Sequence, residues 1–230
     1  MSQVFILPTQ DGSPTARLSP DGELMHSSFG AWSETLYIYK PAATLVFEKG
    51  WPNRFLSVGL GMGYVEMMII AEAMACQKDP ALVEILSFEN SPLILGEFDK
   101  WVRTGESAVF ESSLRWVAQH YGHEPRFLYS KLAESFNSGR WIIEKELVEI
   151  KPHGPFSAVF YDAFSKKSGE EVWAEEFLNQ FLKTYCSEKC VFTTYAATSA
   201  LKRALKSKGF LLSEKPGFTG KRESTWAVLS

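Results

Sequence analysis

The stretch RFLSVGLGMG, residues 54–63, leads directly into YVEMMIIAEAMA, residues 64–75, and this junction decides the fold. Arg54–Val58 is a short apolar run of strand length. Gly59, Gly61 and Gly63 follow at once, where a chain without Cβ atoms can turn sharply. Tyr64–Ala75 then places Val65, Met68, Ile69, Glu72 and Cys76 at near-helical spacing, with Glu72 at the margin of that face. Lys78-Asp79-Pro80 stops the helix. Strand, glycine turn and helix in this order open a βαβ unit.

The pattern repeats outward. Leu82–Phe88 reads as the next strand and ends in Glu89, and Pro92 suits the first turn of the following helix. Glu111–Tyr121 reads as a helix, and Trp141–Ile150 as one strand or a hairpin. Phe156–Tyr161 is strongly apolar and ends at Asp162. Gly169–Tyr185 is helical, Cys190–Tyr195 a strand, and Ser199–Lys208 a helix closed by Gly209. Phe210–Ser213 and Ser224–Leu229 are two last strands, joined by Glu214–Glu223 without a helix, so one of them is expected to run antiparallel. Alternating short apolar strands and helices predict a Rossmann-like α/β fold with a mostly parallel seven-stranded sheet and helices on both faces. Upstream, Pro20-Asp21-Gly22 between Thr15–Ser19 and Glu23–Ser27 predicts a small hairpin. Thr35–Tyr39 and Ala43–Phe47 read as short accessory elements, so residues 1–50 are expected to pack as an accessory unit on a main domain of residues 51–230.

Composition bounds the function. Apolar residues make up 45% of the 230 and charged residues 22%, an ordinary globular balance. The formal net charge of -3 excludes a broadly basic protein, although Lys and Arg are in local excess between Lys202 and Arg222. Three cysteines make no disulfide framework and favour a reducing, cytoplasmic setting. Cys186 and Cys190 read as structural thiols, and the four histidines show no spacing of a metal site. No apolar run has the length of a membrane span or signal peptide.

The chemistry is expected at the carboxyl ends of the strands, in a crevice between Phe55–Gly63 and Phe156–Phe164. The spacing GxGxG is neither a phosphate loop nor the GxGxxG of dinucleotide folds. It serves either a nucleotide-like ligand or a tight structural turn. Glu89, at the end of the second strand, either accepts two ribose hydroxyls or caps the next helix together with Asn90 and Ser91. Asp162 either faces ligand or caps a helix. Tyr161, Phe164 and Tyr195 are candidate aromatic walls.

Leu56–Gly63, Ser87-Phe88-Glu89, Tyr161-Asp162-Ala163-Phe164 with Trp173, Gly220-Lys221-Arg222-Glu223 and the early Asp21-Gly22-Glu23 with His26-Ser27 together resemble the MnmC-like S-adenosylmethionine-dependent methyltransferases. The resemblance implies a tRNA-modifying enzyme that methylates the aminomethyl group at C5 of the wobble uridine. It also implies a separate FAD-dependent oxidase as partner, since the oxidase half of the two-domain members is not in these residues. Carried over, Gly59, Gly61 and Gly63 wrap the cofactor, Glu89 holds its ribose, and Tyr161 and Asp162 border it. Asp162 then sits beside the acceptor amine, with Phe164, Lys221 and Arg222 toward the substrate. The chain departs from the family at Ser57, where a carboxylate is usual, and near Ile143–Glu146, where Gly-Asp is usual and Glu144 or Glu146 is the local carboxylate. Competing functions are a same-fold methyltransferase of a small molecule or protein, an NAD-dependent oxidoreductase, and a non-catalytic domain that binds RNA or a partner. Oligomeric state is not legible.

Overall fold

The computed structural model describes residues 3–149, 153–163, 170–220 and 223–230. A two-stranded antiparallel hairpin, β1 (Phe5–Pro8) and β2 (Pro14–Arg17), precedes helices α1 (Ala31–Ile38) and α2 (Lys40–Lys49). Then come β3 (Arg54–Val58), α3 (Tyr64–Ala75), β4 (Glu84–Phe88), α4 (Pro92–Thr104), α5 (Ala108–Tyr121), α6 (Pro125–Asn137) and β5 (Trp141–Glu144). The chain closes with β6 (Phe156–Tyr161), α7 (Glu175–Tyr185), β7 (Cys186–Thr194), α8 (Ser199–Lys208), β8 (Leu211–Lys215) and β9 (Ser224–Leu229).

The main sheet has the order β5-β4-β3-β6-β7-β9-β8. Its first five strands are parallel, and β9 runs antiparallel to both β7 and β8. The expected Rossmann-like architecture is therefore the one observed. Alternation along each strand explains the two layers. Phe55, Ile85, Ala158 and Phe160 face a core shared with α1 to α6. Leu56, Val58, Leu86, Phe88, Val159 and Tyr161 face the opposite core, built with α7 and α8. The order reverses at β3, with β4 on one side and β6 on the other, so the crevice opens above the ends of these three strands.

Several local expectations are corrected. The hairpin lies one segment earlier than predicted. Its turn is organised by Asp11, whose carboxylate accepts the Thr9 hydroxyl at 2.7 Å and the Ser13 N–H at 2.8 Å. Pro20-Asp21-Gly22 makes only a turn, and Glu23–Ser28 is not a strand; Met25 N–H bonds the Ala16 carbonyl at 2.9 Å at the edge of β2. The accessory elements are helices, because Pro41 falls in the first turn of α2, where no N–H is missed. Helix α6 was not predicted. Pro125 at its start and Leu128 and Leu132 on its buried side were the available signals. The predicted helix Gly169–Tyr185 is, in its described part, a 3-10 turn at Glu171–Trp173 and then α7, separated by extended Ala174. Among the described residues no helix is long and apolar enough to cross a membrane.

Candidate active site

The parallel register ends β3, β4 and β6 at one level: Val58 pairs with Phe88 on one side and Tyr161 on the other. The chain then turns at Gly59. Its N–H and that of Leu60 both donate to the Phe88 carbonyl, at 3.0 and 3.1 Å, while Asp162 N–H donates to the Val58 carbonyl at 2.9 Å. Gly59, Glu89 and Asp162 are thereby brought to one place. They line a cavity of about 330 Å³ together with Glu23–Ser28, Glu34, Gly61, Ala163 and Tyr195.

Glu89 is almost fully buried at the cavity wall. Its Oε2 accepts the Gly61 N–H at 3.0 Å and its Oε1 accepts the Ser91 N–H at 2.8 Å. Burial pushes its carboxyl above the usual range, against the lowering effect of these main-chain donors. Both alternatives for Glu89 hold in part. It steadies the start of α4, whose cap is Ser91 Oγ on Ile94 N–H at 3.4 Å, and it faces the cavity. Each carboxylate oxygen has a second lone pair for a ligand hydroxyl.

Beside Glu89 lies a smaller pocket of about 150 Å³, lined by Val58, Phe88, Leu147, Val148, Ala163 and Val172 and bordered by Asn90, Lys145 and Glu146. It occupies the region where the family's Gly-Asp was missed. Glu146 is on its border, whereas Glu144 is paired with His153, Oε1 to Nε2 at 3.0 Å.

The other departure has a structural answer. Ser57 lies in register with Ser87 on the α3 side of the sheet. There Glu66, fully buried, accepts the Ser87 hydroxyl at 2.7 Å, and Trp141 Nε1 donates to Ser87 Oγ at 3.0 Å. Ser57 stands beside Glu66. The acidic side chain under the glycine turn is thus Glu66, from the helix rather than the strand.

Two expected ligand contacts are corrected. Tyr161 does not reach the cavity. Strand alternation turns it into the α7 core, where its hydroxyl donates to the Val172 carbonyl at 2.6 Å and its ring packs on Trp173 and Phe192. Gly63 also lies off the cavity. It begins α3 at φ +75°, and an added Cβ would stand 3.2 Å from Met67 and from the Phe110 ring, so it serves the turn and helix packing. Phe164, Lys221 and Arg222 lie outside the described residues.

The segment expected as a hairpin strand, Glu23–Ser27, is instead part of the cavity's roof. Met25 Sδ lies 3.7 Å from the Cβ position of Gly61, so Glu23–Ser28 crosses directly over the glycine turn. Glu34 Oε2 holds this segment by accepting the Ser27 N–H at 2.8 Å, and Gln10 N–H bonds the Ser28 carbonyl at 2.9 Å. Beneath it, Tyr39 is fully enclosed; burial first, then the charges of Asp162 and Glu34, hold its hydroxyl protonated. Tyr195, also on the wall, donates to the Ala163 carbonyl at 2.9 Å.

The residues present suit an adenosyl ligand. An apolar pocket for a flat base, a carboxylate for a ribose and a glycine turn for the amino-acid end follow one another around Glu89. Comparisons agree with that fit. Residues 141–230 match a family described as S-adenosyl-L-methionine-dependent methyltransferase. The whole chain superposes on the crystal structure of MnmC2 from Aquifex aeolicus, covering 72% of it, with a TM-score of 0.70 and 24% identity, which is a likeness of fold. An uncharacterized protein of Methanocaldococcus jannaschii is 26% identical over 96% of this chain and 58% of its own length. The tRNA 5-methylaminomethyl-2-thiouridine biosynthesis bifunctional protein MnmC of Campylobacter hominis is 25% identical over 74% of this chain and 25% of its own. The chain thus spans less than two thirds of the length of these two curated relatives. The family match over residues 141–230 and the shared fold make this chain similar to the S-adenosyl-L-methionine-dependent methyltransferases.

Proposed function

We propose that this chain is an S-adenosylmethionine-dependent methyltransferase acting on the aminomethyl group at C5 of the wobble uridine in tRNA, in a cytoplasmic setting. The observation that carries the reading is the charge of the cavity wall. Glu23, Glu34, Glu89 and Asp162 line the cavity, and among the described residues no Lys or Arg does. Such a wall attracts a cationic or N–H-rich acceptor and suits an amine. The names of the MnmC relatives point to the same substrate.

S-adenosylmethionine, when bound, supplies an electrophilic methyl group on a sulfonium. Glu89 would accept the ribose hydroxyls, and Gly59 and Gly61 would let the main chain approach. Asp162, carried by the end of β6, accepts one N–H of the acceptor amine and turns its lone pair toward the methyl. Orientation of this kind supplies a large part of such a rate gain. A nearby carboxylate also favours the charged amine. Asp162 would therefore orient the amine, which must first give up its proton to water before its lone pair attacks.

For tRNA, Lys202 and Lys206 line a groove of about 680 Å³ with β8 and the start of β9. Lys202 is paired with Glu223, and Arg203 with Glu175 at 2.6 Å. Lys215 is engaged within the fold, where its Nζ donates to the Tyr37 carbonyl at 2.7 Å and lies over the Tyr37 and Trp226 rings. A separate FAD-dependent oxidase would expose the aminomethyl group in advance. The ion pairs that occupy Lys202 and Arg203 favour a second reading, in which the acceptor is a small amine. Labelled methyl transfer from S-adenosylmethionine separates the two. tRNA bearing 5-aminomethyluridine should be methylated, and unmodified tRNA should not. Transfer to small amines at equal or better efficiency would overturn the tRNA assignment.

A further inference from the structure

The cavity around Glu89 is negative, yet its expected cofactor carries a carboxylate at the amino-acid end. That group needs hydrogen-bond donors. The order of subsites fixes where it must lie. The apolar pocket takes the base on one side of Glu89, so the amino-acid end extends the other way, past Gly59 and Gly61 and under the Met25–His26 roof.

His26 meets the need there. Its ring stands edge-on to Tyr64 in the first turn of α3, with centroids 5.1 Å apart, and Tyr64 is itself tied by its hydroxyl to the Pro14 carbonyl at 2.8 Å. Thr15 Oγ1 accepts the main-chain N–H of His26 at 3.2 Å and lies 3.2 Å from its Nδ1, within reach to donate its own hydrogen there. With Thr15 as donor, the ring proton sits on Nε2, the edge not turned to Thr15. Burial holds the imidazolium form down to about 4, so the ring is a neutral donor at working pH. Tyr195, by contrast, already spends its hydrogen on Ala163.

We propose that His26 anchors the carboxylate of the cofactor's methionine moiety through Nε2–H, with Thr15 as the residue that fixes its tautomer. The inference rests on the cofactor assignment above. It gives the N-terminal hairpin a part in binding, since β2 delivers Thr15 and the roof segment docked on its edge delivers His26.

Calorimetric titration of the full chain tests this with two ligands. S-adenosylhomocysteine has the amino-acid end, and methylthioadenosine lacks it. Wild-type protein should bind both. His26→Ala should weaken S-adenosylhomocysteine roughly 10- to 100-fold, the scale of a hydrogen bond to a charged group, and leave methylthioadenosine unchanged. Thr15→Val should weaken S-adenosylhomocysteine less, and again spare methylthioadenosine. Retained binding of methylthioadenosine also shows that each variant is folded. Equal losses for both ligands, or no loss for either, would overturn the role of His26. Failure of wild-type protein to bind either ligand would instead bring down the cofactor assignment on which it stands.

Discussion

The Cβ that Gly59 lacks would stand 2.7 Å from the main-chain carbonyl oxygen of Asp162. The glycine turn and the end of β6 cross so closely that no side chain fits between them, and Gly59 also holds φ at +92°. This crossing puts the candidate acceptor-side carboxylate next to the turn proposed to hold the cofactor. Gly59→Ala must therefore part the two segments or strain the turn. A stability loss of about 1–3 kcal/mol is expected, with a larger proportional loss of S-adenosylhomocysteine affinity. Thermal unfolding and calorimetry measure the two. Wild-type values for both would mean that the crossing is slack.

Asp162 is proposed to orient the acceptor from the border of the cofactor site, so its removal should cut kcat more than cofactor binding. Asp162→Asn keeps the shape but weakens the acceptor of the amine N–H. Turnover on the amine substrate should fall on the order of 10²-fold, while S-adenosylhomocysteine binds as before. A matching fall in cofactor affinity would place Asp162 on the wrong side of the methyl.

Much of this site was legible because it is made by local rules. A strand ending in glycines and running into a helix could be read from residues 54–75, and β3 and α3 lie where the pattern put them. Glu89 and Asp162 stood out as polar residues closing apolar strands. What failed depended on partners distant in sequence. Tyr161 looked like part of the Asp162 motif, but alternation sends it to the opposite face of the sheet. Gly63 looked like a third ligand glycine, but its neighbour is Phe110 from α5. The roof was misread as a hairpin strand, because Glu23–Ser28 owes its place to contacts from outside itself, with Glu34 and Ala16. The hairpin was misplaced because Pro20-Asp21-Gly22 carries a stronger turn signal than Asp11-Gly12, although only the latter is clasped by Thr9, Ser13 and Ser33.

If the α8–β9 groove docks the RNA backbone, Lys202 and Lys206 each displace counterions on binding. Replacing both with Gln should weaken tRNA binding and make the slope of log affinity against log salt shallower by about 1 to 2. Cofactor affinity should be untouched, since neither side chain lines the main cavity. Affinity measured across a salt series checks this. An unchanged slope would send the RNA to another face.

Glu66 gives the fold its own pH dependence. It is fully buried beneath the glycine turn, with Ser87 and Ser57 beside it and the charge of Glu89 nearby, and burial pushes its carboxyl up to about 7. Its Oε2 and the Ser57 hydroxyl oxygen are both enclosed without a strict hydrogen-bond partner, an arrangement better suited to a neutral acid than to a carboxylate. The ordinary carboxyl value of 4.5 applies when the chain unfolds. Between these two values the folded protein binds the extra proton, so stability is full below about 4.5 and declines as pH rises through about 7. The loss attributable to this one group is on the order of 3 kcal/mol, at about 1.4 kcal/mol per unit. Glu66→Gln keeps a neutral polar group there and should flatten this decline. Denaturant unfolding of both proteins at pH 5.5 and pH 8 checks the difference. If the two proteins lose stability in parallel over that interval, Glu66 is ionised in the native state and the turn rests on a buried charge.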